Sequence, residues 1–85
     1  MKIQEFIKNN NLSFKEGNRN TTIVVIIGYS QHLGVTQPGL KTELDHEIED
    51  DSFISEEISR LWDYCKTRNY KNFWTTDKAK ELYKF

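Results

Sequence analysis

The 85-residue sequence predicts an all-α fold, a small single-domain bundle of four to five helices, and three observations carry that expectation. Apolar residues recur at i, i+3, i+4 in separate segments, capping residues and glycines punctuate those segments, and no internal repeat, low-complexity segment or linker divides the chain. One block, residues 21–28, is dense in β-branched side chains and keeps a second class open, α+β with residues 21–28 as a strand.

Each element has its own local reason. Ile3, Phe6 and Ile7 lie on one helical face, so residues 2–9 read as a short amphipathic helix ended by Asn9-Asn10-Asn11. Leu12 and Phe14 cross to a polar turn, Glu16-Gly17-Asn18-Arg19-Asn20-Thr21-Thr22. There Gly17 and Asn18 tolerate positive φ, Asn20 or Thr21 is placed to cap a helix, and Arg19 is left as a positive fork. The run Ile23-Val24-Val25-Ile26-Ile27 follows; propensity favours a strand, whereas its continuation to Gly34 suits a buried helix. Gly34 reads as a helix-ending glycine. Thr36 caps the next helix with Pro38 in its first turn, and Leu40, Leu44 and Ile48 form one buried stripe. After Glu49-Asp50-Asp51, Ser52 or Ser55 caps a helix whose inner face is Ile54, Ile58, Leu61, Trp62 and Cys65. Finally, Thr75 or Thr76 caps a last helix with Ala79, Leu82 and Tyr83 on one side.

Composition narrows the classes of function. A chain of this length, read as one domain over 1–85, builds one modest core and no two-lobed cleft, so an enzyme is not expected. No apolar stretch is long enough for a signal peptide or membrane span, which leads to the expectation of a cytoplasmic protein with no membrane partner. Cys65 is the single cysteine and falls on an apolar face. His32 and His46 lack metal-ligand spacing, and Asp45-His46-Glu47 places its members on different helical faces, so neither a metal nor a cofactor is expected. Gly28, Gly34 and Gly39 are too scattered for a phosphate loop. No small-molecule substrate is indicated.

Charge is segregated beneath a net value of −1. Residues 1–22 carry a net +2. Residues 23–58 hold Lys41 against eight carboxylates, and residues 59–85 carry a net +4 interleaved with Trp62, Tyr64, Tyr70, Phe73, Trp74, Tyr83 and Phe85. Cations beside ring faces suit single-stranded nucleic acid, because the charges neutralise phosphate while each stacked base contributes about 1–3 kcal/mol. The same rings could instead be core, with the lysines on their solvated backs.

The segment Glu16-Gly17-Asn18-Arg19-Asn20, an apolar helix ending in Leu33-Gly34, a second helix with Leu40 and Leu44, and Glu56-Glu57-Ile58 opening a third resemble the primase C-terminal domain family. The likeness covers about residues 14–70 and leaves a basic, aromatic C-terminal tail over 70–85. In place of the family's proline–leucine step before the last helix stand Asp50-Asp51-Ser52-Phe53. The resemblance implies a small helical module of plasmid, phage and mobile-element replication proteins, and it favours a helix over residues 21–28. It matches Gly17, Arg19 and Asn20 to the family's turn, and Glu57 with Ile58 to the start of its last helix.

Two expectations of different class follow. The first is a non-catalytic DNA-replication accessory module of a mobile element or phage. Its partners are DNA, single-stranded or primer-template, and/or a replication polymerase or primase subunit. Its contact residues would be Lys15, Arg19, Asn20, Arg60, Tyr64, Arg68, Tyr70, Lys71 and Trp74, with the tail as a further docking surface. The alternative is a small acidic-faced interaction module or inhibitor. That module would use Glu43, Asp45, Glu47, Glu49, Asp50 and Asp51 to block a nucleic-acid-binding partner.

Overall fold

The Ile23 run is helical. In the computed structural model, which describes residues 2–15 and 17–85, it lies inside α2 (Arg19–Leu33). Met1 and Glu16, the first residue of the polar turn, lie outside the described residues. Ile23, Ile26 and Ile27 point into the core, as do Thr22, Gly28, Tyr29 and Ser30, so α2 is covered around most of its circumference. That burial outweighs the modest helix penalty of β-branched residues, since each fully buried aliphatic side chain contributes roughly 1.5–3 kcal/mol. The buried hydroxyls are satisfied within the chain: Ser30 Oγ donates to Ile26 O at 2.7 Å and Thr22 Oγ1 to Ser13 O at 2.7 Å.

Around α2 stand α1 (Lys2–Asn9), α3 (Gln37–Glu43), α4 (Asp45–Asp50), α5 (Phe53–Thr67), a 3-10 segment (Tyr70–Thr75) and α6 (Asp77–Leu82). Among the described residues the fold is therefore all-α, with no strand, and α1, α2, α3 and α5 are its longer helices. Arg19 meets Asp51 where α2 and α5 begin, and Gln31 Nε2 donates to Trp62 O further along both. The two long helices thus run in the same sense, with α3 and α4 as the return leg. Gly34 ends α2 at φ 80°, its N–H bonding to Gln31 O while the Val35 N–H bonds to Ser30 O, a paired closure that requires left-handed backbone at residue 34.

Several local expectations need correction. Asn20 and Thr21 lie within the first turn of α2. The cap position is Asn18, which makes no side-chain cap bond, and of the two turn residues only Gly17 takes positive φ. The stripe Leu40, Leu44, Ile48 spans two helices, because the chain breaks at Leu44 (φ −98°, ψ 22°). There Gln4 Nε2 from α1 donates to Glu43 O at 2.7 Å, an outside donor inserted at the helix ladder. Ser52 occupies the N-cap position of α5 but makes no side-chain cap bond, and Ser55 lies within the helix; Asp51 Oδ1 accepts from the Phe53 N–H. Thr36 and Thr76 do cap α3 and α6, accepting from Gly39 N and Ala79 N. Leu82, expected inward, is 60% exposed.

The C-terminal aromatics complete the core. Trp74 contacts Phe6, Tyr29, Tyr83 and Phe85 with ring centroids 5.0–5.3 Å apart, while Phe6 stacks on Tyr29 at 4.0 Å. The last residues are held by the Asn10 carboxamide, whose Nδ2 donates to Lys84 O and whose Oδ1 accepts from Lys84 N. A side chain here pairs with a backbone as a neighbouring strand would, so the 70–85 segment is tied into the body of the fold.

Candidate nucleic-acid interface

Ile58, Leu61 and Cys65 fix the inner face of α5, and this alone sends Tyr64 and Arg68 to one flank and Trp62 and Lys66 to the other. Tyr64 is 44% exposed. Arg68 follows at i+4, and its guanidinium lies 4.3 Å from the centroid of the Tyr64 ring. α5 stops here, and Asn69 takes φ 55°, a left-handed conformation that asparagine adopts more readily than most residues. That reversal brings Tyr70 edge-on to Tyr64, with centroids 6.0 Å apart. The neighbouring Tyr64 phenol is the main cause that pushes the Tyr70 phenol above its ordinary pKa, followed by desolvation.

On the opposite flank Trp62, Lys66 and Lys71 border a groove of about 290 Å³ with Gln31 and Gln37. Among the described residues the ion pairs are Arg19–Asp51 and Arg60–Glu57, so Lys66, Arg68 and Lys71 keep their charges free for an anion. The far end of α5 therefore carries two exposed or half-exposed tyrosines, three cations and the half-buried Trp62.

The sequence-derived contact set does not converge on one surface. Tyr64, Arg68 and Tyr70 come together, while Lys71 lies on the other flank of α5 beside Trp62 and Lys66. Lys15, Arg19 and Asn20 lie near the opposite end, separated by the length of α5, about 22 Å at 1.5 Å per residue. Arg19 is not a bare fork: its Nη1 is 2.5 Å from Asp51 Oδ2, and its guanidinium lies 4.0 Å from the Phe53 ring centroid. Arg60 is likewise engaged, 2.5 Å from Glu57, a carboxylate only 7% exposed; that hydrogen bond raises the Arg60 pKa. Trp74 is 3% exposed and cannot stack on a base. Trp62, expected in the core, is half-buried at the groove. Sequence reasoning missed Lys66, although its i+4 spacing from Trp62 repeats the spacing of Arg68 from Tyr64.

The acidic set also divides. Asp51 serves Arg19 and the Phe53 N–H, Glu47 accepts from Gln4 Nε2 at 3.0 and 3.2 Å, and Glu43 Oε1 is buried without a partner. Asp45, Glu49 and Asp50 remain exposed on α4. Among the described residues no group of histidine, cysteine and carboxylate side chains is arranged to hold a metal, and no helix is long and apolar enough to cross a membrane. Cys65 is fully buried, which raises its thiol pKa by desolvation.

No family model matches the chain, and neither a curated protein nor a solved structure matches it.

Proposed function

We propose that this chain is a non-catalytic accessory module of DNA replication, of the mobile-element or phage kind, that acts in the cytoplasm and binds single-stranded or primer-template DNA. The contact surface is the C-terminal end of α5. The observation that supports this reading is the grouping of Tyr64, Arg68 and Tyr70 beside unpaired Lys66 and Lys71. Ring faces there can stack on bases while the cations track phosphates, and among the described residues none of those cations is in an ion pair. The likeness of the Gly17-Asn18-Arg19-Asn20 turn and its following helices to primase C-terminal domains supports the replication setting. In this reading the turn's arginine serves the fold through Asp51, and DNA is met at the other end of the helix pair.

Fluorescence anisotropy with labelled single- and double-stranded DNA tests the proposal. Wild-type protein is expected to bind single strands more tightly, with affinity falling as salt rises. Tyr64→Ala should weaken binding by about 1–3 kcal/mol, and Arg68→Ala should reduce the salt slope by about one. Absence of binding at low salt overturns the reading.

The exposed carboxylates of α4 favour a second reading, a protein-interaction face directed at a basic partner. Its test is the double reversal Asp45→Lys with Glu49→Lys, which should abolish capture of a basic nucleic-acid-binding protein and leave DNA affinity unchanged or increased.

A further inference from the structure

The groove beside Trp62, on the flank of α5 away from Tyr64, is lined by three kinds of chemistry, each with capacity to spare. Trp62 supplies a half-buried ring, Lys66 and Lys71 supply cations without an ion pair among the described residues, and Gln31 and Gln37 supply carboxamides. Gln31 Nε2 donates to Trp62 O at 3.1 Å, which orients that carboxamide and leaves its Oε1 buried without a donor. Gln37 Oε1 accepts from Ser59 Oγ at 3.3 Å, so its Nε2 is the end left without a partner among the described residues. The link between α2 and α3 completes the lining.

Size, charge and ring together select the occupant. At about 290 Å³ the groove lies at the lower limit for small-ligand sites, about 300–1,000 Å³, which suits a single nucleotide. No aspartate or glutamate lines it. Asp63, Asp77 and Glu81, the carboxylates of the C-terminal third, are exposed elsewhere and pair with neither lysine. An anionic group is therefore favoured beside the lysines, and the Trp62 ring offers a face on which a base can stack, at about 1–3 kcal/mol. The carboxamides add the donor and acceptor that base edges use. A bare phosphate would leave the ring and carboxamides idle, and an apolar ligand would leave both lysines idle.

We propose that this groove is a subsite for one nucleotide, whose base stacks on Trp62 and whose phosphate is held by Lys66 and Lys71. The inference rests on the nucleic-acid reading above for a DNA strand as the source of that nucleotide; the same chemistry takes a free nucleoside monophosphate. α5 with its side chains is about 10–12 Å across, so a strand lying on Tyr64 and Tyr70 reaches Trp62 within about three nucleotides at about 3.4 Å each. The two flanks of α5 then act on one strand, the tyrosines and Arg68 on one side and the groove on the other.

The test uses the full wild-type chain and its two indole signals, Trp62 and Trp74, in proton–nitrogen correlation spectra. Deoxyadenosine monophosphate or a short single strand should move the Trp62 signal saturably and leave that of buried Trp74 in place. Deoxyadenosine, which lacks the phosphate, should bind at least roughly tenfold more weakly. Exposed Lys66 and Lys71 can be changed together, and Lys66→Gln with Lys71→Gln should weaken the nucleotide by a similar factor without affecting the nucleoside. A shift with the strand alone supports the groove with DNA as its source. A shift with the free nucleotide, when no strand binds in anisotropy, supports the groove and overturns the DNA reading. A Trp62 signal that neither ligand moves overturns the groove, and strand binding that still depends on Tyr64 then leaves the DNA reading standing. Inorganic phosphate moving the signal as far as the nucleotide does also overturns the proposal, because the base would contribute nothing.

Discussion

Arg19 and Arg68 occupy opposite ends of α5 and lie over aromatic rings in nearly the same way, 4.0 Å from the Phe53 centroid and 4.3 Å from the Tyr64 centroid. They differ in their counter-ions. Asp51 holds Arg19 at 2.5 Å, whereas Arg68 is in no ion pair among the described residues. The guanidinium–ring contact is thus the same in both places, and the carboxylate decides its use. With Asp51 present, charge, ring and the start of α5 are locked together. Without one, the cation stays on its ring and keeps its charge for a ligand.

The comparison is sharpest between the rings nearest each role. Trp74, buried among Phe6, Tyr29, Tyr83 and Phe85, should behave as core, so Trp74→Ala is expected to cost about 3–5 kcal/mol in urea unfolding. Exposed Tyr64 should lose less than about 0.5 kcal/mol of stability when changed to alanine while losing DNA affinity. Near-equal stability losses would remove the distinction between the two rings.

A smaller effect separates the two arginines. Arg19→Ala gives up a half-exposed ion pair and a ring contact, about 1 kcal/mol together, and should lower the melting temperature by several degrees with DNA affinity unchanged. Arg68→Ala should do the reverse. If Arg19→Ala weakens DNA binding and leaves the melting temperature untouched, the roles assigned to the two ends are exchanged.

The smallest effect lies in the aromatic cluster. Desolvation and then the charge of Glu5 raise the Tyr29 pKa, so the fold prefers the neutral phenol. The stability linked to that proton is fully present below the unfolded tyrosine value near pH 10.0 and is lost as pH rises through the higher folded value. Cys65, raised by burial, adds loss in the same direction. Melting temperatures followed into alkali should therefore fall, and Tyr29→Phe should flatten the decline. An unchanged decline in that variant would place its origin elsewhere.

Local chemistry was legible where a residue acts on its near neighbours. The span of α1, the closing glycine at 34, and the Thr36 and Thr76 caps all rest on bonds reaching only a few residues along the chain. The grouping of Tyr64, Arg68 and Tyr70 was legible for the same reason, because they lie within one helix end and its turn, whereas the side of α5 that Lys71 takes was not. The break at Leu44 was not, since its donor, Gln4, is 39 residues from Glu43. Nor was the engagement of Arg19, whose partner Asp51 is 32 residues away.

By itself, then, the sequence determined the helical periodicity, the threonine caps of α3 and α6 and the segregation of charge, all of which depend on spacing along one chain. The tertiary structure decided that the Ile23 run is a central helix, that Trp74 is core while Tyr64 is surface, and that Arg19 is held while Arg68 is free. The physical reason is that burial and ion pairing depend on which distant segments pack together, and identical residue types take opposite roles once that packing is fixed.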